Sequence, residues 1–241
     1  MSTWTAQPIH FVDFEGSLGS GIVEYGVVTL VGGEVRELHT RLCHPLGALR
    51  REDVAVHGLD EDALAGAAPM AEDFARFAAW RESGPLAAHF AGTENTLLKS
   101  VWPYPRRSPD FTQRSARAAA RPSGATTDPA AGWVPSAAEW GPWVDTGALY
   151  RQLYPQFSSY KLADLIALCG LQAELDALAP QLCPAARCQY HAAPYDALAG
   201  ALLLGFLARE PQIAALSLMQ LLALSTLDGT KRDAIQQQSL F

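Results

Sequence analysis

Residues 10–16 read HFVDFEG, so Asp13 and Glu15 stand two apart inside an apolar run. Phe11, Val12 and Phe14 mark a buried strand, in which successive side chains alternate faces and Asp13 and Glu15 share one. Two neighbouring anions repel each other and lose hydration on burial, so something must compensate them. Mg²⁺ or Mn²⁺ would, because these ions take hard oxygen ligands, and two ions about 4 Å apart need three or four carboxylates. A structural acid pair satisfied by an arginine or by backbone amides is the alternative.

Further carboxylates would have to reach the same cleft from other segments. YHAAPYDALAG, residues 190–200, puts Asp196 in the first turn of an apolar helix, with His191 five residues earlier in the entering loop. A carboxylate with an imidazole beside it is what a hydrolase needs to deprotonate an attacking water near a metal ion. AHFAGTENTLL, residues 88–98, sets Glu94 at a helix start directly after a short buried strand. Singly, each also reads as a loop histidine or as an acid favoured by a helix dipole. Cys183, Cys188 and His191 match no common zinc spacing and lack a fourth ligand, so the cysteines read as ordinary thiols.

The elements that must position these groups follow from the hydrophobic pattern. Strands are expected over Ile9–Glu15, Ile22–Leu30 and Val35–Cys43, with a turn at Val31–Glu34. Met70, Phe74 and Phe77 fall at helical spacing after Pro69, and Pro85–His89 fits a central strand. Glu94, Leu97, Leu98 and Val101 form a second helical stripe. Trp143–Thr146 reads as a strand, Leu162–Cys169 as a helix stopped by Gly170, Pro194–Leu207 as a helix, and Ile213–Leu224 as a last one. Residues 103–142, rich in Pro, Ala, Gly, Ser and Arg, read as a flexible insertion, and 228–241 as a mobile tail. A strand meander followed by alternating helices and strands implies an α/β fold, a mixed sheet flanked by helices, in one domain over residues 1–227.

Composition bounds the function classes. The 241 residues are 49% hydrophobic and 18% charged, enough for a substantial core. A net charge of −7 excludes an indiscriminate, histone-like nucleic-acid binder but not an enzyme with a local binding groove. Four scattered cysteines do not make a disulfide scaffold. The N-terminal residues show no signal-peptide pattern. The apolar stretch at 197–227 is interrupted by Arg209, Glu210 and Pro211, so neither half reaches the roughly 20 residues of a membrane span. A soluble, cytoplasmic protein with no membrane partner is expected.

Taken in order, these segments resemble the DnaQ-like 3′–5′ exonucleases of the DEDDh type, a family with a ribonuclease-H-like fold. The resemblance covers roughly residues 9–207. VDFEG resembles the first motif, SGIVEYGVVTL the second strand, and VHGLDEDAL the H-G segment beside the terminal nucleotide. AHFAGTENTLL stands in the place of the A-H-N-x-x-F-D motif, VDTGALYRQLYP and YKLADLIALCGL resemble the D-T and L-x-x-L segments, and HAAPYDA fits H-x4-D-A. The resemblance implies that Asp13, Glu15, Asp196 and Glu94 hold two Mg²⁺ or Mn²⁺ ions. It further implies that His191 is the general base, and that Phe14, His57 and Gly58 line the terminal-nucleotide pocket. Two departures stand out: Glu94 replaces the usual Asp, and Phe90 the usual Asn.

The implied function is metal-dependent 3′–5′ exonucleolytic hydrolysis of DNA 3′ ends to nucleoside monophosphates, in replication or repair, with single-stranded DNA favoured and RNA as the alternative substrate. A non-catalytic binding module is the remaining alternative. Between residues 103 and 127, Arg106, Arg107, Arg114, Arg117 and Arg121 face one acid, Asp110, so the insertion could contact phosphates. The terminal QQSLF resembles the peptide that binds the bacterial sliding clamp, with Gln237, Leu240 and Phe241 as its contact residues.

Overall fold

The strand meander forms because two β-branched and aromatic runs and a third, more polar segment are separated by glycine turns. β1 (Ile9–Ser17), β2 (Gly21–Val31) and β3 (Glu34–Leu42) pair antiparallel, with Phe11 opposite Val28, Asp13 opposite Gly26 and Glu15 opposite Glu24. In this computed structural model the described residues are 3–102, 140–230 and 232. Arg106, Arg107, Arg114, Arg117, Arg121, Gln237, Leu240 and Phe241 lie outside them, as does most of the expected insertion.

β4 (Leu86–Ala88) joins β1 in parallel through Phe11 and Ala87, and β5 (Trp143–Asp145) joins β4 in parallel through Ala88 and Asp145. The sheet order is β3-β2-β1-β4-β5, which puts the carboxylate-bearing strand in the centre. Nine helices are described: α1 (Arg51–His57), α2 (Phe74–Ser83), α3 (Gly92–Val101), α4 (Thr146–Leu153), α5 (Leu162–Leu168), α6 (Gln172–Leu182), α7 (Ala193–Arg209), α8 (Pro211–Ala214) and α9 (Leu218–Leu224). They cover both faces. Ile9, Phe11, Val28 and Leu30 pack with α7 and its neighbours, while Val12, Phe14, Tyr25 and Val27 pack with α2 and α3 through Phe77, Trp80, Leu97 and Leu98.

The long helix α7 sits unusually close to the sheet. A Cβ at Gly26 would meet the Ala193 carbonyl oxygen at 2.3 Å, and one at Gly200 would meet the Phe11 ring at 2.1 Å. These two glycines let the start of α7 press onto the strand pair opposite Asp13.

Three expectations need correction. The expected helix over Ile213–Leu224 is two helices, because Ser217 forms a capping box: its Oγ accepts from Gln220 N–H at 3.3 Å, and Gln220 Oε1 accepts from Ser217 N–H at 2.8 Å. The stripe that starts at Met70 opens as a 3-10 turn, Met70–Asp73, before α2 begins at Phe74. The expected boundary of the insertion at 142 is too late, because Trp140 is fully buried and Arg81 donates to the Trp140 and Gly141 carbonyls at 2.9 and 3.3 Å. Among the described residues, no helix is long and apolar enough to cross a membrane.

Candidate active site

Strand alternation puts Asp13 and Glu15 on the face that carries Phe11, the face covered by α7. The close approach at Gly26 sets the first turn of α7, and with it Asp196, over them. A donor atom each from Glu15, His191 and Asp196 lie within 4.8 Å of one another. Asp13 and Glu94 are not members of that tight triad. They belong to the same electrostatic cluster, for Glu94 is the strongest charged neighbour of Asp13, ahead of Asp196, Glu15 and Glu24. Glu94 comes from the other layer, in the first turn of α3, and the Phe14 backbone N–H donates to its carboxylate. The extra methylene of Glu relative to Asp gives that reach across the end of β1.

The cluster holds protons tightly. Desolvation first, and then Glu94 and the other acids, push Asp13 well above its ordinary value. Desolvation and the Asp196 and Glu24 charges push Glu15 up to about 8, against a smaller pull from Arg187. Desolvation and Glu15 raise Glu94 to about 8. Asp196 rises to about 7 by desolvation, opposed by the His191 N–H that it accepts. Among the described residues, Asp196 Oδ1 and Glu94 Oε2 are buried without a hydrogen-bond partner. Hard oxygen donors, mutual repulsion and orphaned lone pairs fit divalent cations, which would neutralise the excess charge.

His191 is exposed and has φ of 65°, a left-handed conformation rare outside glycine. Its backbone N–H donates to Asp196 Oδ2 at 3.0 Å, which ties the strained loop to the helix that follows. Strain of this kind persists where the surroundings over-determine it, commonly at functional sites. Cys188 donates weakly to the Ala179, Cys183 and Pro184 carbonyls.

Two residues of this centre were not anticipated from sequence. Glu24 lies opposite Glu15 on β2 and is buried, and Arg187 holds it through Nε–Oε1 at 2.9 Å and Nη2–Oε2 at 2.6 Å. The rest of the guanidinium donates to the His57 carbonyl at 2.8 Å and the His191 carbonyl at 3.3 Å. Ala193 N–H adds a further bond to Glu24 at 2.9 Å. The signal in the sequence was an acid within the apolar β2 run GIVEYGVV.

His57 ends α1, and Gly58 takes the left-handed capping position with φ of 72°. His57 Nδ1 accepts from Leu59 N–H at 3.0 Å, so Nε2 carries the proton, and that buried donor has no partner among the described residues. Burial, then Arg187, lowers the pKa of His57. The Phe14 ring lies in the core against Phe77, 5.8 Å between centroids, on the face away from Asp13 and Glu15. Only its backbone N–H reaches the acid cluster.

No protein-family model matches the chain, and no curated protein matches it. Solved structures do. Exonuclease X in complex with 5′-overhanging duplex DNA has a TM-score of 0.57 at 18% identity, covering 90% of this chain and 99% of that one. The nuclease domain of 3'hExo, a DEDDh family member bound to rAMP, has a TM-score of 0.55 at 13% identity, covering 86% and 94%. The zinc-bound complex of E. coli ExoI with single-stranded DNA has a TM-score of 0.51 at 14% identity, covering 86% of this chain and 42% of that one. The chain therefore has the DnaQ-like exonuclease fold, a ribonuclease-H-like mixed sheet flanked by helices.

Proposed function

We infer that the chain is a divalent-metal-dependent 3′–5′ exonuclease. The observation that carries this is the convergence of Asp13, Glu15, Glu94 and Asp196 from three elements, with His191 held beside Glu15 and Asp196. Asp13, Glu15 and Asp196 would hold Mg²⁺ or Mn²⁺ ions, with Glu94 as the fourth acid. When bound, the ions would supply charge to the scissile phosphate and to the leaving 3′ oxygen. His191, exposed at the rim of the cluster, takes the proton from the attacking water as general base. The buried Nε2–H of His57 is a donor for the terminal nucleotide, and Arg187 holds the His57 and His191 loops together.

The fold supports a nuclease, and the acid cluster supports hydrolysis over mere binding, since a binding groove has no need of four repelling carboxylates. Clamp tethering through Gln237, Leu240 and Phe241, and strand contacts by Arg106, Arg107 and Arg114, rest on the sequence pattern alone. Digestion of 5′-end-labelled single-stranded DNA, duplex DNA and RNA in Mg²⁺ or Mn²⁺ tests the reading. A ladder shortening from the 3′ end supports it and ranks the three substrates. Endonucleolytic fragments or no product in any arm would overturn it.

A further inference from the structure

Phe90 is the second residue other than glycine with positive φ, 61°, among the described residues. It lies two residues beyond β4, at the strand edge where Glu94 stands in the first turn of α3, in the place where the resemblance calls for Asn. A bulky aromatic in this conformation is a genuine outlier, and its neighbours hold it there. Asp145 accepts from the Phe90 and Ala91 N–H groups at 3.2 and 3.0 Å while capping α4 through Ala148 N–H at 3.0 Å. Gly147 makes room for the ring, since a Cβ there would meet it at 2.5 Å.

The same packing fixes a second ring. His89 Nε2–H donates to the Tyr160 carbonyl at 2.9 Å, and its Nδ1 lies 3.0 Å from the Thr146 hydroxyl, which also reaches the Ala88 carbonyl at 3.3 Å. Tyr160 is anchored at its other end by its hydroxyl, which donates to the Tyr154 carbonyl at 3.0 Å. Above both rings lies the exposed guanidinium of Arg151, 4.9 Å from the Phe90 centroid and 5.5 Å from that of Tyr160. Arg151 makes no ion pair among the described residues. A guanidinium held over ring faces keeps its planar fork of N–H groups directed outward, the geometry that grips phosphate oxygens.

We propose that Arg151, set in place by Phe90 and Tyr160, is a phosphate-binding subsite for the single strand entering the cleft. The subsite rests on the exonuclease reading, because it lies on the same strand edge as the acid cluster. Arg187, the cation beside the acid cluster, is already committed to Glu24 and two carbonyls, which leaves its donors engaged within the protein. Phe90 and Tyr160 are positioning residues here, and the contact is to the backbone, so DNA and RNA strands share it.

The test is the binding of a fluorescein-labelled oligothymidylate to the full chain in Ca²⁺, measured by anisotropy across a KCl series. Arg151→Gln is expected to weaken binding severalfold and to reduce the slope of log K against log salt by about 0.7, the contribution of one phosphate on a single strand. Phe90→Leu is expected to weaken binding while keeping the wild-type slope, since the charge remains. Arg36→Gln, on β3 beside the Gly32–Gly33 turn at the far end of the sheet, removes the same charge and should change neither quantity. An oligouridylate arm should give the same loss for Arg151→Gln, and a loss confined to one sugar would contradict a backbone contact. Wild-type digestion with an unchanged Arg151→Gln slope overturns the subsite and leaves the nuclease reading standing. A wild type that neither binds nor digests overturns both.

Discussion

Arg187 grips Glu24 with two hydrogen bonds, 2.9 and 2.6 Å, across 163 residues of sequence, and with its remaining donors holds the carbonyls of His57 and His191. One buried cation thus fixes the spacing between two loops that flank the acid cluster. Removing one partner of a buried pair leaves the other charge uncompensated, which costs about 3–5 kcal/mol. Arg187→Met should lose stability on that order in urea unfolding. The double variant Glu24→Gln, Arg187→Met should recover part of it, because no charge is left buried alone. Equal losses in the single and double variants would show that the pair is not what stabilises the loops.

The acid cluster predicts an uncommon pH dependence. Glu15 and Glu94 are raised to about 8 and Asp196 to about 7, above their unfolded values. A carboxyl whose folded pKa is raised contributes stability that is fully present below its unfolded pKa and is lost as pH rises through the folded one. In EDTA, the thermal midpoint should therefore fall between about pH 5 and pH 8. Mg²⁺ should raise the midpoint, more so at pH 8 than at pH 5, because only the ionised cluster binds it. A Mg²⁺ effect that is flat with pH would contradict carboxylate ligation.

Gly26 is where α7 meets the sheet, with the Ala193 carbonyl 2.3 Å from the position a Cβ would take. Gly26→Ala must push the helix start, and Asp196 with it, away from Asp13. Overpacking of this kind costs about 1–3 kcal/mol. A displacement of about 1 Å at reacting groups can cost on the order of 100-fold in rate. Turnover should fall far more than stability does; a folded Gly26→Ala protein with wild-type turnover would mean that the approach of α7 does not set the site.

Glu94 reaches β1 from the opposite layer, with the Phe14 N–H on its carboxylate. Glu94→Asp shortens that reach and should raise the Mg²⁺ concentration needed for half-maximal activity. Glu94→Gln keeps the length, removes the charge, and should lower kcat/KM by about 100-fold or more. A Mg²⁺ titration of initial rates separates the two. Unchanged rates in Glu94→Gln would remove this residue from the centre.

Much of this arrangement was legible in the residues, and the gaps have physical causes. β1, β2 and β3 follow from alternation and glycine turns, and Asp196 falls in the first turn of its helix as the apolar run predicts. α1, Arg51–His57, was not legible because it buries only His57 and shows no apolar stripe. α6, Gln172–Leu182, carries Pro180 and buries only Leu175 and Ala179. The Arg187–Glu24 bridge depends on contact between segments far apart in sequence, which no local period encodes. Phe90 was visible as a departure, but its partner Arg151 became so only through the rings beneath the guanidinium.

The central claim is that Asp13 and its partners carry metal-dependent removal of 3′-terminal nucleotides. Its most direct test follows the release of label from 3′-end-labelled single-stranded DNA in Mg²⁺ by wild type and Asp13→Ala, prepared identically. Labelled nucleoside monophosphate released by the wild type, abolished by EDTA and lost in Asp13→Ala, is the predicted result. Equal release by the two proteins would contradict the assignment of the site.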